Sequence, residues 1–171
     1  DDQLFYHAGP PGITEFQHRT KSRALPGGNY NDLGRVPVTG LIHFGTKPKV
    51  GERYDLGEGR TEEYTAKLRL KNTWDSSKLD DRVKMAEFFG DGEMGTYKES
   101  DFKGELLELI PTGDLRRAGV KDVSEALRKL GYDSAKLTED NFAVIDPTQV
   151  SLISKPQTAQ GGTVYGAAFK D

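Results

Sequence analysis

The chain has 171 residues, 30% of them charged and 35% hydrophobic, with a net charge of −3. That length suits one domain with a single good core, and the charge balance excludes a general electrostatic pull towards nucleic acid or anionic lipid. There is no cysteine, which excludes disulfides and thiolate metal sites and fits a reducing compartment.

No apolar run approaches the roughly 18–20 residues that span a bilayer. Asp1-Asp2-Gln3 carries neither a basic n-region nor an apolar h-region, so no signal peptide is read there. The absent initiator Met reads as a processed chain or an excised domain. In chain order, residues 3–7 predict a strand that stops at Ala8-Gly9-Pro10-Pro11-Gly12, because prolines cannot donate to a ladder. Residues 17–39 show no period and read as a long loop or irregular helix. A short strand follows at 41–44, and 47–54 suggests one or two helical turns despite Gly51. Residues 63–71 alternate cleanly. Tyr64, Ala66, Leu68 and Leu70 share one face, which predicts a half-buried strand. Residues 79–89 place Leu79, Val83, Ala86 and Phe89 at helical spacing, with Asp80 and Asp81 in the first turn.

The stretch 90–104 has glycines and several acids and reads as a mobile insertion. Helices are expected around 103–109 and 120–130, the second stopped by Gly131. Residues 132–137 and 142–145 read as a hairpin. The domain is expected to span 1–155, with 156–171 as a Gly/Ala-rich tail or linker. There is no internal repeat.

Standard catalytic signatures are missing. The three histidines lack metal-ligand spacing. There is no G-x-S-x-G elbow and no phosphate-cradling G-x-x-x-x-G-K-[S/T]. Gly57-Glu58-Gly59-Arg60 is only a turn. What stands out is three short segments far apart: Leu4-Phe5-Tyr6-His7-Ala8-Gly9, Gly40-Leu41-Ile42-His43-Phe44-Gly45-Thr46 and Asn141-Phe142-Ala143-Val144-Ile145-Asp146-Pro147-Thr148-Gln149-Val150.

Their order and spacing resemble the ADP-ribosyltransferase superfamily, in particular the small versions within phage and mobile-element proteins. The resemblance covers most of residues 4–154. It implies an α+β fold with a split, mostly antiparallel β-sheet, flanking helices, and NAD as co-substrate in the cleft between the two halves. In the family the first segment commonly ends H-G-T. His7 takes the histidine position, which hydrogen-bonds a ribose hydroxyl. Ala8, with Gly9 after it, takes the place whose backbone grips the nicotinamide carboxamide. The second motif usually reads G-[I/L]-Y-F-[S/T], so His43 stands where a tyrosine stacks on nicotinamide, with Phe44 beside it. A cationic His43 would repel the nicotinamidium, so the role asks for a neutral ring. Glu63-Tyr64-Thr65-Ala66-Lys67-Leu68-Arg69-Leu70-Lys71-Asn72 is similar to the family's next strand, often "vyLrikNP". Gly131-Tyr132-Asp133 and residues 142–150 resemble its closing "GYDG … EYVVFDPSQI" hairpin.

The main departure lies in that hairpin. Asn141 stands at the catalytic glutamate. It can hydrogen-bond the nicotinamide-ribose hydroxyl but supplies no negative charge. Glu139 points to the same side if the turn is shifted, since strand residues two apart share a face. Arg19 and Arg23, in the loop after the first motif, are candidates for the pyrophosphate. Plain structural roles stand beside these: a capping or satisfied core histidine at His7, a strand histidine packed beside Phe44 at His43, turn residues at Glu139 and Asp140, and solvated loop arginines.

The function implied is mono-ADP-ribosyl transfer to a macromolecule, a host protein or a neighbouring virion protein, in a host cytoplasm or a phage particle. One alternative is a degenerate member kept as a binding or structural module of a phage particle. Another is an RNA 2′-phosphotransferase-like enzyme using the same co-substrate, which the two histidines His7 and His43 favour.

Overall fold

The computed structural model describes residues 3–9, 23–24, 35–36, 39–48, 62–104 and 106–158. In chain order these carry β1 (Phe5–Gly9), β2 (Arg23–Ala24), β3 (Arg35–Val36), β4 (Ile42–Gly45), β5 (Glu62–Leu68) and β6 (Thr73–Asp75). Then come α1 (Leu79–Phe89), β7 (Asp91–Gly92), β8 (Gly95–Thr96), α2 (Thr112–Arg117), α3 (Val123–Lys129), β9 (Ser134–Thr138), β10 (Asn141–Val144) and β11 (Val150–Thr158). The class is α+β, and the principal sheet has seven strands in the order β11-β5-β1-β4-β10-β9-β6. Every pairing in it is antiparallel except that of β6 with β9. No helix among the described residues is long and apolar enough to cross a membrane.

The sheet is unevenly knitted. β1 pairs with β5 at five positions, from Phe5↔Ala66 to Gly9↔Glu62. β4 pairs with β10 at four, from Asn141↔Gly45 to Val144↔Ile42. Between β1 and β4 the register holds one pair, Tyr6↔Gly45. The two halves of the sheet therefore meet at a seam, and Ala8 and Gly9 run past the last pair with β4 while still pairing with β5.

Side chains alternate across a pleated sheet, so each face builds its own core. One face, with Leu41, Ala135, Leu137, Ala143 and Ile145, packs with Met85 and Phe89 of α1, Val123, Ala126 and Leu127 of α3, and Phe102 and Leu107. The other gathers Phe5, Ile42, Phe44, Tyr64, Ala66, Val144 and Leu152. Tyr64 and Ala66 are fully buried, as the alternation of β5 predicts.

Several elements depart from the sequence-based expectation. β1 continues through Ala8 and Gly9 before the prolines. β5 stops at Leu68, although the next amide, Arg69 N–H, still donates to the Gln149 carbonyl (2.9 Å). The buried face of α1 is Arg82, Met85, Ala86 and Phe89, while Leu79 stays 54% exposed. The helix ends at Gly90, whose φ of 57° suits a residue without Cβ.

Residues 90–104 form packed structure in place of the mobile insertion that their glycines suggested. β7 pairs with β8, and a 3-10 turn follows at Glu99–Phe102. Phe102 is fully buried, near-parallel to Phe89 and close to Tyr97. The buried Asp114 carboxylate of α2 accepts from the Tyr97 hydroxyl (2.6 Å), the Glu93 amide (3.0 Å) and Arg117 Nη1 (2.9 Å). Where a helix was expected around 103–109, the described residues carry a 3-10 turn at Leu106–Leu109. α3 starts later than position 120, where Asp122 caps it by accepting from the Glu125 amide. β11 pairs with β5 out to Thr158↔Glu62, past the boundary expected at 155.

A polar knot joins the ends of β5, β9 and β10. Gln149 is 5% exposed, and its Oε1 accepts from the Ile145 (3.3 Å) and Asp146 (3.0 Å) amides. Its Nε2 donates to the Arg69 (2.9 Å) and Asp133 (3.0 Å) carbonyls. Asp133 accepts from the Lys71 and Asn72 amides, and Asn72 Nδ2 donates to the Gly131 carbonyl. Residues 69–72, 131–133 and 145–149 thus hold one another.

Candidate functional site

His43 and Asn141 meet on the sheet face that carries the helices. Register sets Ala143 opposite His43 and Asn141 opposite Gly45. The two side chains are therefore diagonal neighbours on one face, and His43 Nδ1 lies 3.1 Å from Asn141 Oδ1. The other ring nitrogen, Nε2, lies 3.0 Å from Glu108 Oε1, with side-chain exposures of 32% for His43 and 22% for Glu108.

Glu108 belongs to the 3-10 turn Leu106–Leu109. Leu107 is fully buried and Ile110 is 1% exposed, so the apolar neighbours anchor the turn. A carboxylate only accepts, so Nε2 carries the proton in this contact whatever the charge of the ring. Nδ1 faces a carboxamide, which can donate from its nitrogen or accept at its oxygen. A neutral ring takes the amide nitrogen and an imidazolium takes the oxygen. Glu108 was not among the residues expected from sequence. The one signal was a charge inside Leu106-Leu107-Glu108-Leu109-Ile110.

His7 stands at the seam. Its Nδ1 donates to the His43 carbonyl (2.6 Å), a side chain bonding β4 where the two strands no longer pair residue by residue. Its ring lies 5.4 Å from the Phe44 ring and 6.5 Å from that of Tyr64. His7 therefore leaves the sheet on the opposite face from His43, and the two imidazoles flank one seam without sharing a face. Ala8 and Gly9 lie beside it.

Phe44 is a correction. At 2% exposure it is packed into the second core with Phe5, Ile42 and Val144, so its ring is committed and does not clamp a ligand. Glu139 is another. It lies in the turn between β9 and β10, where the two-residue alternation of a strand does not apply, and its side chain is 88% exposed with Lys136 Nζ at 3.6 Å. Asp140 does more than fill a turn: its carboxylate accepts from the Thr46 amide (2.6 Å) and from the Thr46 hydroxyl, tying the hairpin to the end of β4. Arg19 lies outside the described residues. Arg23 of β2 pairs with Val36 of β3, and its side chain lies outside the described residues.

A depression of about 470 Å³ opens where the start of α1 meets the end of β9, lined by Ser76, Arg82, Lys103, Lys136, Thr138 and Glu139 among others. His43 and Asn141 do not line it. Its most buried cation, Arg82, is already bound to Glu99 Oε1 and the Ser76 carbonyl, both at 2.9 Å. It reads as a surface recess between elements. Among the described residues, no group of three or more His, Asp or Glu is placed to hold a metal ion. Comparison with protein-family models, curated proteins and solved structures finds no match to this chain.

Proposed function

We propose that this chain is an NAD-dependent mono-ADP-ribosyltransferase acting on a macromolecular target, a host or virion protein, built on a split ADP-ribosyltransferase-like sheet. One observation carries the reading: His43 of the second motif and Asn141 of the third, 98 residues apart, are in hydrogen-bond contact on one sheet face. Two further features support it. The sheet is joined at its middle by one residue pair, and Ala8 extends backbone along that seam.

NAD supplies the glycosidic bond between ribose and nicotinamide, whose cleavage releases neutral nicotinamide with the bonding electrons as the acceptor nucleophile bonds the ribose carbon and gives up its proton to solvent. Asn141 orients the ribose hydroxyl through its carboxamide. His43, planar and half-buried, gives the nicotinamide a surface, and His7 holds the seam by its bond to the His43 carbonyl. A second reading, a binding module without turnover, is favoured by the uncharged side chain at 141.

The test is incubation with labelled NAD and host lysate, with Asn141→Glu and Glu139→Gln beside the wild type. Transfer is expected in the wild type. Asn141→Glu should raise turnover on the order of 10²-fold, the worth of one well-placed electrostatic contact. Glu139→Gln, exposed in a turn, should leave it unchanged. Wild-type protein giving no label and no calorimetric heat at millimolar NAD refutes the proposal, and heat without label in any variant selects the module.

A further inference from the structure

We infer that Glu108 is a positioning residue of this site, one that fixes the proton of His43 on Nε2 and brings a negative charge to within one imidazole of Asn141. Its catalytic consequence rests on the reading of the site as an NAD site. The positioning rests on geometry alone.

The sequence places no carboxylate at position 141, and the two acids just before it are used elsewhere. Glu139 is exposed beside Lys136, and Asp140 is bonded to Thr46. Glu108 reaches the same place from another element. Its turn is pinned by buried Leu107 and Ile110, so the carboxylate is delivered on a fixed backbone. The contact at 3.0 Å obliges Nε2 to donate.

Three consequences follow. The ring plane is set by partners at both nitrogens, since Nδ1 is engaged by Asn141 at 3.1 Å. With Nε2 protonated, the state of Nδ1 and the orientation of the Asn141 amide are coupled. Finally, a carboxylate hydrogen-bonded to one edge of an imidazole makes the opposite nitrogen a stronger partner, as in the acid–histidine pairs that orient catalytic rings. The electrostatic help that a carboxamide lacks thus reaches Asn141 through His43.

The experiment uses the full chain with Glu108→Gln, Glu108→Asp and His43→Phe, folding being checked by far-UV circular dichroism. Nitrogen-detected NMR of the imidazoles should show His43 protonated at Nε2 with its proton shifted downfield. Glu108→Gln should abolish that shift and Glu108→Asp should restore part of it. In NAD hydrolysis, Glu108→Gln should lower kcat about 10²-fold with little change in KM, and should add nothing in the His43→Phe background. A wild-type His43 protonated at Nδ1 alone, or a His43 spectrum unmoved by Glu108→Gln, overturns the proposal. A Glu108-dependent Nε2 signal in a protein with neither NAD turnover nor calorimetric heat at millimolar NAD upholds the positioning and refutes the NAD reading.

Discussion

Replacing Gln149 with leucine should be among the most damaging single substitutions in this chain. The side chain is 5% exposed and makes four hydrogen bonds, all to backbone groups. Leucine keeps most of the volume and none of the bonds. Each neutral bond is worth about 1 kcal/mol net, while a buried group left without a partner costs about 1–3 kcal/mol. Arg69 is exposed and Asp133 and Asp146 are half-buried, so water can reach their backbone groups. Ile145, at 2% exposure, offers no such route for its amide. Three rehydrated groups at about 1 kcal/mol each and one stranded group at about 1–3 kcal/mol give a loss of about 4–6 kcal/mol, a large part of the roughly 5–15 kcal/mol available to a domain. Urea denaturation should show a lower midpoint at an unchanged m-value. Gln149→Glu is the companion test. It sets a carboxylate against the Arg69 and Asp133 carbonyls, so its destabilisation should be smaller at acid pH, where a protonated carboxyl again donates. A loss below about 1 kcal/mol in Gln149→Leu refutes the reasoning.

The remaining expectations are simpler to state. Burial, then the hydrogen bond to Asp114, raises the pKa of the Tyr97 hydroxyl above its ordinary value, and burial with Asp81 does the same for Tyr132. Above about pH 10 the unfolded chain loses these protons while the folded one keeps them, so stability is full below that pH and falls as pH rises. Denaturation midpoints should show this alkaline slope, and an equal slope in Tyr97→Phe/Tyr132→Phe counts against it. His7→Ala should cost about 1–3 kcal/mol through the lost bond to the His43 carbonyl. It should also speed amide exchange in β4 more than in β9, and uniform protection across both strands would remove His7 from the seam.

Much of the architecture was legible because it is encoded locally. The alternation in β5, the helical spacing and acidic first turn of α1, and the hairpin signals around Glu139 and Asp140 all led to the right element type. β6 escaped notice because three residues, Thr73–Asp75, cannot display a period, although Trp74 within it is fully buried. α2, Thr112–Arg117, has one buried apolar residue, Leu115, and no amphipathic repeat to betray it. The glycine and acid content of 90–104 hid a segment held by Tyr97 and Phe102, whose partners Phe89 and Asp114 lie outside it.

The candidate site divides in the same way. His7, His43 and Asn141 were singled out by the resemblance of their three segments to the motifs of a known family, each at an expected strand position. Which side chains face one another depends on register between strands distant in the chain, where a shift of one residue exchanges the faces of the sheet. Only the tertiary structure could therefore set His43 and Asn141 on one face and His7 on the other, and bury Phe44. Glu108 lies in a single turn with no motif of its own. Its meeting with His43 follows from where Leu107 and Ile110 find the core, and long-range packing of that kind leaves no local trace.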